Sequence, residues 1–190
     1  MKKTFLMLIS TISINAQITQ RRLKHNVNYA THAAPLITAV MNTHGSIFEL
    51  GVGDFSTPFL HAICKATNRF LLSAETDKNW LQLFMDLERP WHKLVHVDKG
   101  FLGEGWDTIG NNHEWSVVFI DHAPGERRIT DIERLRPITE VFVIHDTEAT
   151  CYGYEPLLSS FKYRYVYKRY LPETTLVSDT INVTTFFDKE

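Results

Sequence analysis

The sequence predicts an α/β domain built on a doubly wound, mostly parallel sheet of about seven strands that ends in an antiparallel hairpin. Three observations predict it. Short apolar runs at residues 46–50, 69–74, 92–97, 115–120 and 140–144 alternate with helical patterns. The runs at 115–120 and 140–144 are unbroken, which suits central parallel strands covered on both faces. Residues 162–167 then alternate with period two and join residues 174–178 through Leu171-Pro172-Glu173, a connection so short that the two strands must be antiparallel.

Composition agrees with one globular domain. The chain has 190 residues, 44% hydrophobic and 22% charged, and a formal charge of -2, enough for a single sizeable core. That charge, with a pI near 6.5, gives no electrostatic case for nucleic acid or an anionic membrane. Cys64 and Cys151 form no C-x-x-C pair, so no zinc knuckle or redox motif is expected. Residues 1–16 carry Lys2 and Lys3, a diluted apolar run and Ala16; they have the layout of a secretory signal cleaved after Ala16, or of a leading helix, and are too short to span a bilayer. Residues 17–190 are expected to form the single domain.

Taken in order, residues 17–41 have helical spacing interrupted at Pro35. Their basic run, Arg21, Arg22, Lys24 and His25, suits a solvated helix face. The segment ending at His32 is placed over the next element. That element is the stretch 46–57, a strand running into Glu49-Leu50-Gly51-Val52-Gly53 and a helix start near Pro58 with Asp54, Ser56 or Thr57 as cap. The glycines allow a ligand close to the main chain, and the helix start is expected to offer free N–H groups.

A helix over 59–66 returns the chain to the second strand, which ends at Glu75, about 25 residues after Gly51 and near the offset at which an acid meets a ribose. A second helix spans 77–87, with Asp77 as cap and Trp80 and Phe84 on its apolar face. The third strand precedes a glycine-rich connection; the fourth ends at Asp121 and is followed by a charged helix over 126–135; the fifth ends at His145 and Asp146. Tyr163, Tyr165, Tyr167 and Tyr170 suit one face of the hairpin, with an acceptor wall or a homo-oligomer surface as alternatives.

Asp121 and Asp146 end strands that should be neighbours, so both carboxylates belong at one rim of the crevice. Three uses follow: a divalent cation held by the two carboxylates, a histidine general base, or a hydrogen-bonded network that shapes the rim. His145 is expected to point away from Asp146 by strand alternation, leaving His122 as the better base. Arg127 and Arg128, at a helix start, are expected at the surface, or on a carboxylate or phosphate of an acceptor.

The strand-acid-x-Gly-x-Gly opening, the acid at Glu75 and the terminal hairpin resemble the Rossmann-like class I S-adenosylmethionine-dependent methyltransferases, over about residues 45–178. Residues 118–128, Asp131 and the His145-Asp146-Thr147 triplet resemble their small-molecule subgroup. This chain departs from that subgroup in placing His122 directly after Asp121, and Phe55 stands where the first motif's third glycine would be.

The resemblance implies that S-adenosylmethionine is the cofactor, with Glu49 and the Gly51 and Gly53 backbone on its methionine part, Glu75 bidentate on its ribose, and Asp121 at the site. It implies methyl transfer to a small molecule bearing a hydroxyl, amine or carboxylate, served by Asp121, His122 and Asp146, with Mg2+ or another divalent cation at Asp121 and Asp146. An acid at the turn suits a sulfonium better than a pyrophosphate, which argues against NAD. No nucleic-acid partner and no membrane span are expected, and an intracellular cofactor points to the cytoplasm, or to export if residues 1–16 are a signal. The competing readings are a non-catalytic binding module and a metal-dependent enzyme of other chemistry on the same fold.

Overall fold

The computed structural model describes residues 30–98, 100 and 103–187. The leading segment 1–16, the basic run and the first part of the 17–41 helix lie outside the described residues. Seven strands, β1 (Ile47–Leu50), β2 (Leu71–Glu75), β3 (His92–His96), β4 (Trp115–Ile120), β5 (Thr139–His145), β6 (Tyr163–Tyr167) and β7 (Thr174–Ser178), form one sheet in the order β3-β2-β1-β4-β5-β7-β6. The first five pair in parallel, and β7 lies antiparallel to both β5 and β6. Leu50 is level with Ala74 on one side and Ile120 on the other, so β1, β2 and β4 end together. The order reverses between β1 and β4, where an open sheet parts to leave a crevice.

Both faces of the sheet are covered, which is why β4 is buried along its whole length. On one face Phe48, Leu50, Val118, Ile120, Phe142 and Ile144 pack with Trp106 and with Ile132 and Leu135 of α4 (Arg128–Leu135). On the other, Ile47, Val117, Phe119 and Val143 meet Leu36 and Val40 of α1 (Ala33–Met41) and Leu60 and Cys64 of α2 (Thr57–Thr67). The hairpin tyrosines Tyr163 and Tyr165 pack against that second layer, and Tyr165 stacks on Phe187 with ring centroids 4.0 Å apart. Cys64 is buried and Cys151 exposed, both as free thiols.

Several boundaries differ from expectation for local reasons. Pro35 does not interrupt a helix: α1 begins at Ala33, so the proline sits in a first turn whose N–H groups have no helical acceptor in any case. Residues 77–87 hold only a short helix, α3 (Lys78–Gln82), capped by the Asp77 carboxylate on the Asn79 and Trp80 N–H groups and followed by a separate 3-10 turn, Met85–Leu87. The charged helix starts with a 3-10 turn at Gly125–Arg127 and becomes α-helical from Arg128. One more short helix, α5 (Glu155–Leu158), precedes the hairpin. No helix among the described residues is long and apolar enough to cross a membrane.

Candidate functional site

The site lies at the C-terminal ends of β1, β4 and β5. Gly51 leaves β1 with φ +94°, and a Cβ there would stand 2.5 Å from the Asp121 carbonyl oxygen. This glycine is required by the protein itself, because the turn passes against the backbone that follows β4. Gly53 is different. A Cβ there would meet only the Ser56 hydroxyl, at 3.4 Å, and otherwise open space.

That space is a cavity of about 320 Å³ lined by His32, Gly51, Val52, Gly53, Asp54, Phe55, Ser56, Trp80 and Asp121, within the range of small-molecule sites. His32 lies over the turn as the sequence placed it. The turn's donors are largely spent internally: the Gly51 N–H donates to the Ala74 carbonyl, the Val52 N–H to Glu75 Oε2 and the Gly53 N–H to Thr57 Oγ1. The expected free N–H groups are thus largely taken, which disfavours a phosphate there. Trp80 Nε1 donates to the Val52 carbonyl at 2.7 Å, fixing the indole beside the turn.

The two acids of the cofactor motif are placed differently from expectation. Glu49 is fully buried and absent from the cavity wall. Thr57 Oγ1 donates to Glu49 Oε1 at 2.9 Å while accepting the Gly53 N–H, so Glu49 braces the turn from behind. Burial pushes its pKa up to about 7, against the pull of the Ser56, Ser73 and Thr57 hydroxyls. Glu75 Oε1 accepts the Thr76 and Asp77 N–H groups, leaving room for a further donor chiefly on Oε2. A two-oxygen grip on a ribose is therefore not free to form.

Asp121 and Asp146 do meet at one rim, and Arg128 stands between them. Its Nη2 donates to Asp121 and its Nη1 to Asp146, each at 3.1 Å, while its Nε donates to the His122 carbonyl at 2.8 Å. The guanidinium, buried and not at the surface, takes the place between the carboxylates that the sequence reading gave to a divalent cation. Burial pushes Asp121 upward, but His145, Arg128 and His32 outweigh it and hold the carboxyl below its usual range.

The histidines exchange their expected places. His122 is 2% exposed and outside the cavity wall, with Nε2 2.9 Å from Asp131 and its ring against Trp106. Asp131, fully buried, also receives Arg127 and Arg134. His122 is thus sealed beneath α4, and burial, outweighing Asp131, lowers its pKa. His145, by contrast, has Nδ1 3.3 Å from Asp121 and 3.4 Å from Asp146, with Nε2 3.0 Å from Thr31 Oγ1. Asp146 takes φ +59°, so the strand ends there and alternation no longer separates the neighbouring side chains. Burial pushes His145 down, but the two carboxylates prevail and raise it above an ordinary histidine.

His32 completes the rim at 3% exposure, its ring 4.8 Å from that of His145 and its two nitrogens without hydrogen-bond partners. Burial, then His145, lowers its pKa to about 4. Sequence reasoning missed Thr31, Arg128 and Asp131 as parts of these networks. Asp131 entered only as part of the subgroup resemblance, and the paired arginines after a Pro-Gly turn did not say which one turned inward.

No family model matches the chain, and no curated protein sequence matches it. Solved structures do. A candidate O-methyltransferase from Klebsiella pneumoniae superposes with a TM-score of 0.60 at 14% identity, covering 87% of each chain. Cofactor-bound Rv0187 from MTB gives 0.58 at 10% identity over 90% of each chain. The precorrin-6y C5,15-methyltransferase of Geobacter metallireducens gives 0.53 at 12%, covering 77% of this chain and 86% of the other. At these identities the likeness establishes the fold, a seven-stranded Rossmann-like sheet of the class I methyltransferase type.

Proposed function

We propose that the chain binds S-adenosylmethionine in the glycine-turn cavity and transfers its methyl group to a small molecule bearing a hydroxyl, amine or carboxylate. The observation that carries this is Gly53: its missing side chain answers to no packing demand of the protein and opens onto the cavity. A cationic ligand fits the surroundings, because the turn has spent most of its donors while the Asp121 carboxylate is held in its charged form.

When bound, the cofactor supplies an electrophilic methyl. The Gly51–Ser56 backbone and Trp80 would hold its methionine and sulfonium region, and the remaining capacity of Glu75 Oε2 would take one ribose hydroxyl. Asp121 and Asp146, oriented by Arg128, would position the acceptor, which matters most for an in-line displacement. His122 has no part in this reading. Residues 17–190 form the one catalytic domain in it, with 1–16 as a leader or leading helix.

Labelled S-adenosylmethionine incubated with a panel of hydroxyl, amine and carboxylate acceptors tests the proposal. Asp146→Asn, which leaves the cavity-lining Asp121 in place, is expected to lower turnover at least tenfold while retaining cofactor binding. One observation favours a non-catalytic module, namely that Arg128 already occupies one oxygen of each rim acid. Cofactor binding with no transfer to any acceptor would select that second reading.

A further inference from the structure

We infer that His32, Asp121 and His145 bind one divalent transition-metal ion of the zinc class beside the glycine-turn cavity. One ligand atom from each of the three lies within 4.8 Å of the others. Both nitrogens of His32 are buried without hydrogen-bond partners, and His145 Nδ1 stands 3.3 Å from Asp121 and 3.4 Å from Asp146. The Phe55 carbonyl lies near enough to His32 to influence it but closes no hydrogen bond on the ring. A buried polar group left unsatisfied forfeits its solvation without recompense, so such groups call for a partner. A proton on His145 would answer one of the three nitrogens and leave the two of His32 unexplained.

The surrounding contacts suit a ligand set. His145 Nε2 lies 3.0 Å from Thr31 Oγ1, the outer contact that fixes a metal-binding imidazole with its other nitrogen inward. Arg128 fixes Asp121 by Oδ1, the oxygen that lies 3.3 Å from His145 Nδ1, so the carboxylate is held facing the histidine. Bonds of about 2.0–2.1 Å place tetrahedral ligand atoms roughly 3.4 Å apart, so the three side chains would draw in by roughly 1 Å.

Two imidazoles with one carboxylate select zinc-class ions over magnesium, which prefers an octahedral oxygen shell. Three protein ligands leave a fourth position open. His32 and Asp121 both line the cavity, so an acceptor oxygen would take that position. This last step rests on the methyl-transfer reading; the metal site itself does not.

Calorimetric titration of the chelator-treated full chain with Zn2+ tests the site. The expected result is one Zn2+ per chain, at least tenfold weaker in both His32→Gln and His145→Gln, unchanged in His61→Gln, and not displaced by excess Mg2+. Absence of one-to-one binding, undiminished affinity in either of the first two variants, equal loss in His61→Gln, or displacement by Mg2+ overturns it. Co2+ titrated into the wild-type protein needs no variant: an intense visible d–d spectrum supports a nitrogen-bearing site of low coordination, and a weak octahedral spectrum overturns it. S-adenosylmethionine titrated into the same protein separates the two claims. Zn2+ binding without cofactor binding keeps the site and removes its methyl-transfer role; the reverse overturns the site alone.

Discussion

Two aspartate–histidine neighbours, Asp121-His122 after β4 and His145-Asp146 after β5, are near mirror images in sequence and opposites in the structure. The first sends its histidine inward, where His122 meets Asp131 in a network shared with Arg127 and Arg134. The second keeps its histidine at the rim, between two carboxylates and beside the cavity. The difference is set by the chain after each strand. Past β4, the backbone lies against Gly51 and leads His122 under α4; past β5, the left-handed Asp146 halts the alternation and leaves His145 facing Asp121. Both histidines are equally buried, but one is tied to the helix-side network and the other to the two rim carboxylates.

The sealed pair should show the largest effect when broken. Asp131→Ala leaves His122, Arg127 and Arg134 without their shared anion and is expected to destabilise the protein by about 3–5 kcal/mol. Urea unfolding measures it, and a loss under 1 kcal/mol would erase the distinction between the two pairs.

Glu49 sharpens the comparison, because it is sealed like Asp131 but has no cationic partner among the described residues. Its pKa is raised from 4.5 to about 7, so the folded state keeps a proton that the unfolded state releases. This group's contribution then declines as pH rises from about 4.5 to 7 and stays level above. Glu49→Gln should remove that decline, and above pH 7 it should be more stable than wild type by at most about 3 kcal/mol. Unfolding midpoints at pH 5 and pH 8 test the sign; equal pH dependence in both proteins would contradict it.

At the open rim, Arg128→Met removes the cation between Asp121 and Asp146. Both acids are partly exposed, so solvent screening reduces the expected loss to about 2 kcal/mol, read from the thermal midpoint. Thr31→Val takes away only the outer contact of His145 and should cost about 1 kcal/mol. A larger loss than for Asp131→Ala would show that the rim, not the sealed network, supports the fold.

The sheet was readable because its order follows from patterns that burial imposes. Trp115–Ile120 is apolar at every position bar Ser116, which only a strand covered on both faces requires. The tight Leu171-Pro172-Glu173 connection made the hairpin antiparallel. The site was readable only as far as strand ends determine it: Asp121 and Asp146 share a rim because β4 and β5 are neighbours. Side-chain partners across the fold left no such trace. That Arg128 turns in, while its neighbour Arg127 reaches Asp107 and Asp131, depends on the 3-10 turn before α4. That Glu49 lies behind the turn depends on Thr57, eight residues on, whose hydroxyl links it to Gly53.

The central claim is that the space beside Gly53 belongs to S-adenosylmethionine. Its most direct test is calorimetric titration of wild type and Gly53→Val with that compound, with NAD as control. The account predicts micromolar binding to wild type, at least tenfold loss in Gly53→Val with the unfolding midpoint nearly unchanged, and no response to NAD. No binding to wild type, or equal binding to a folded Gly53→Val, would contradict it.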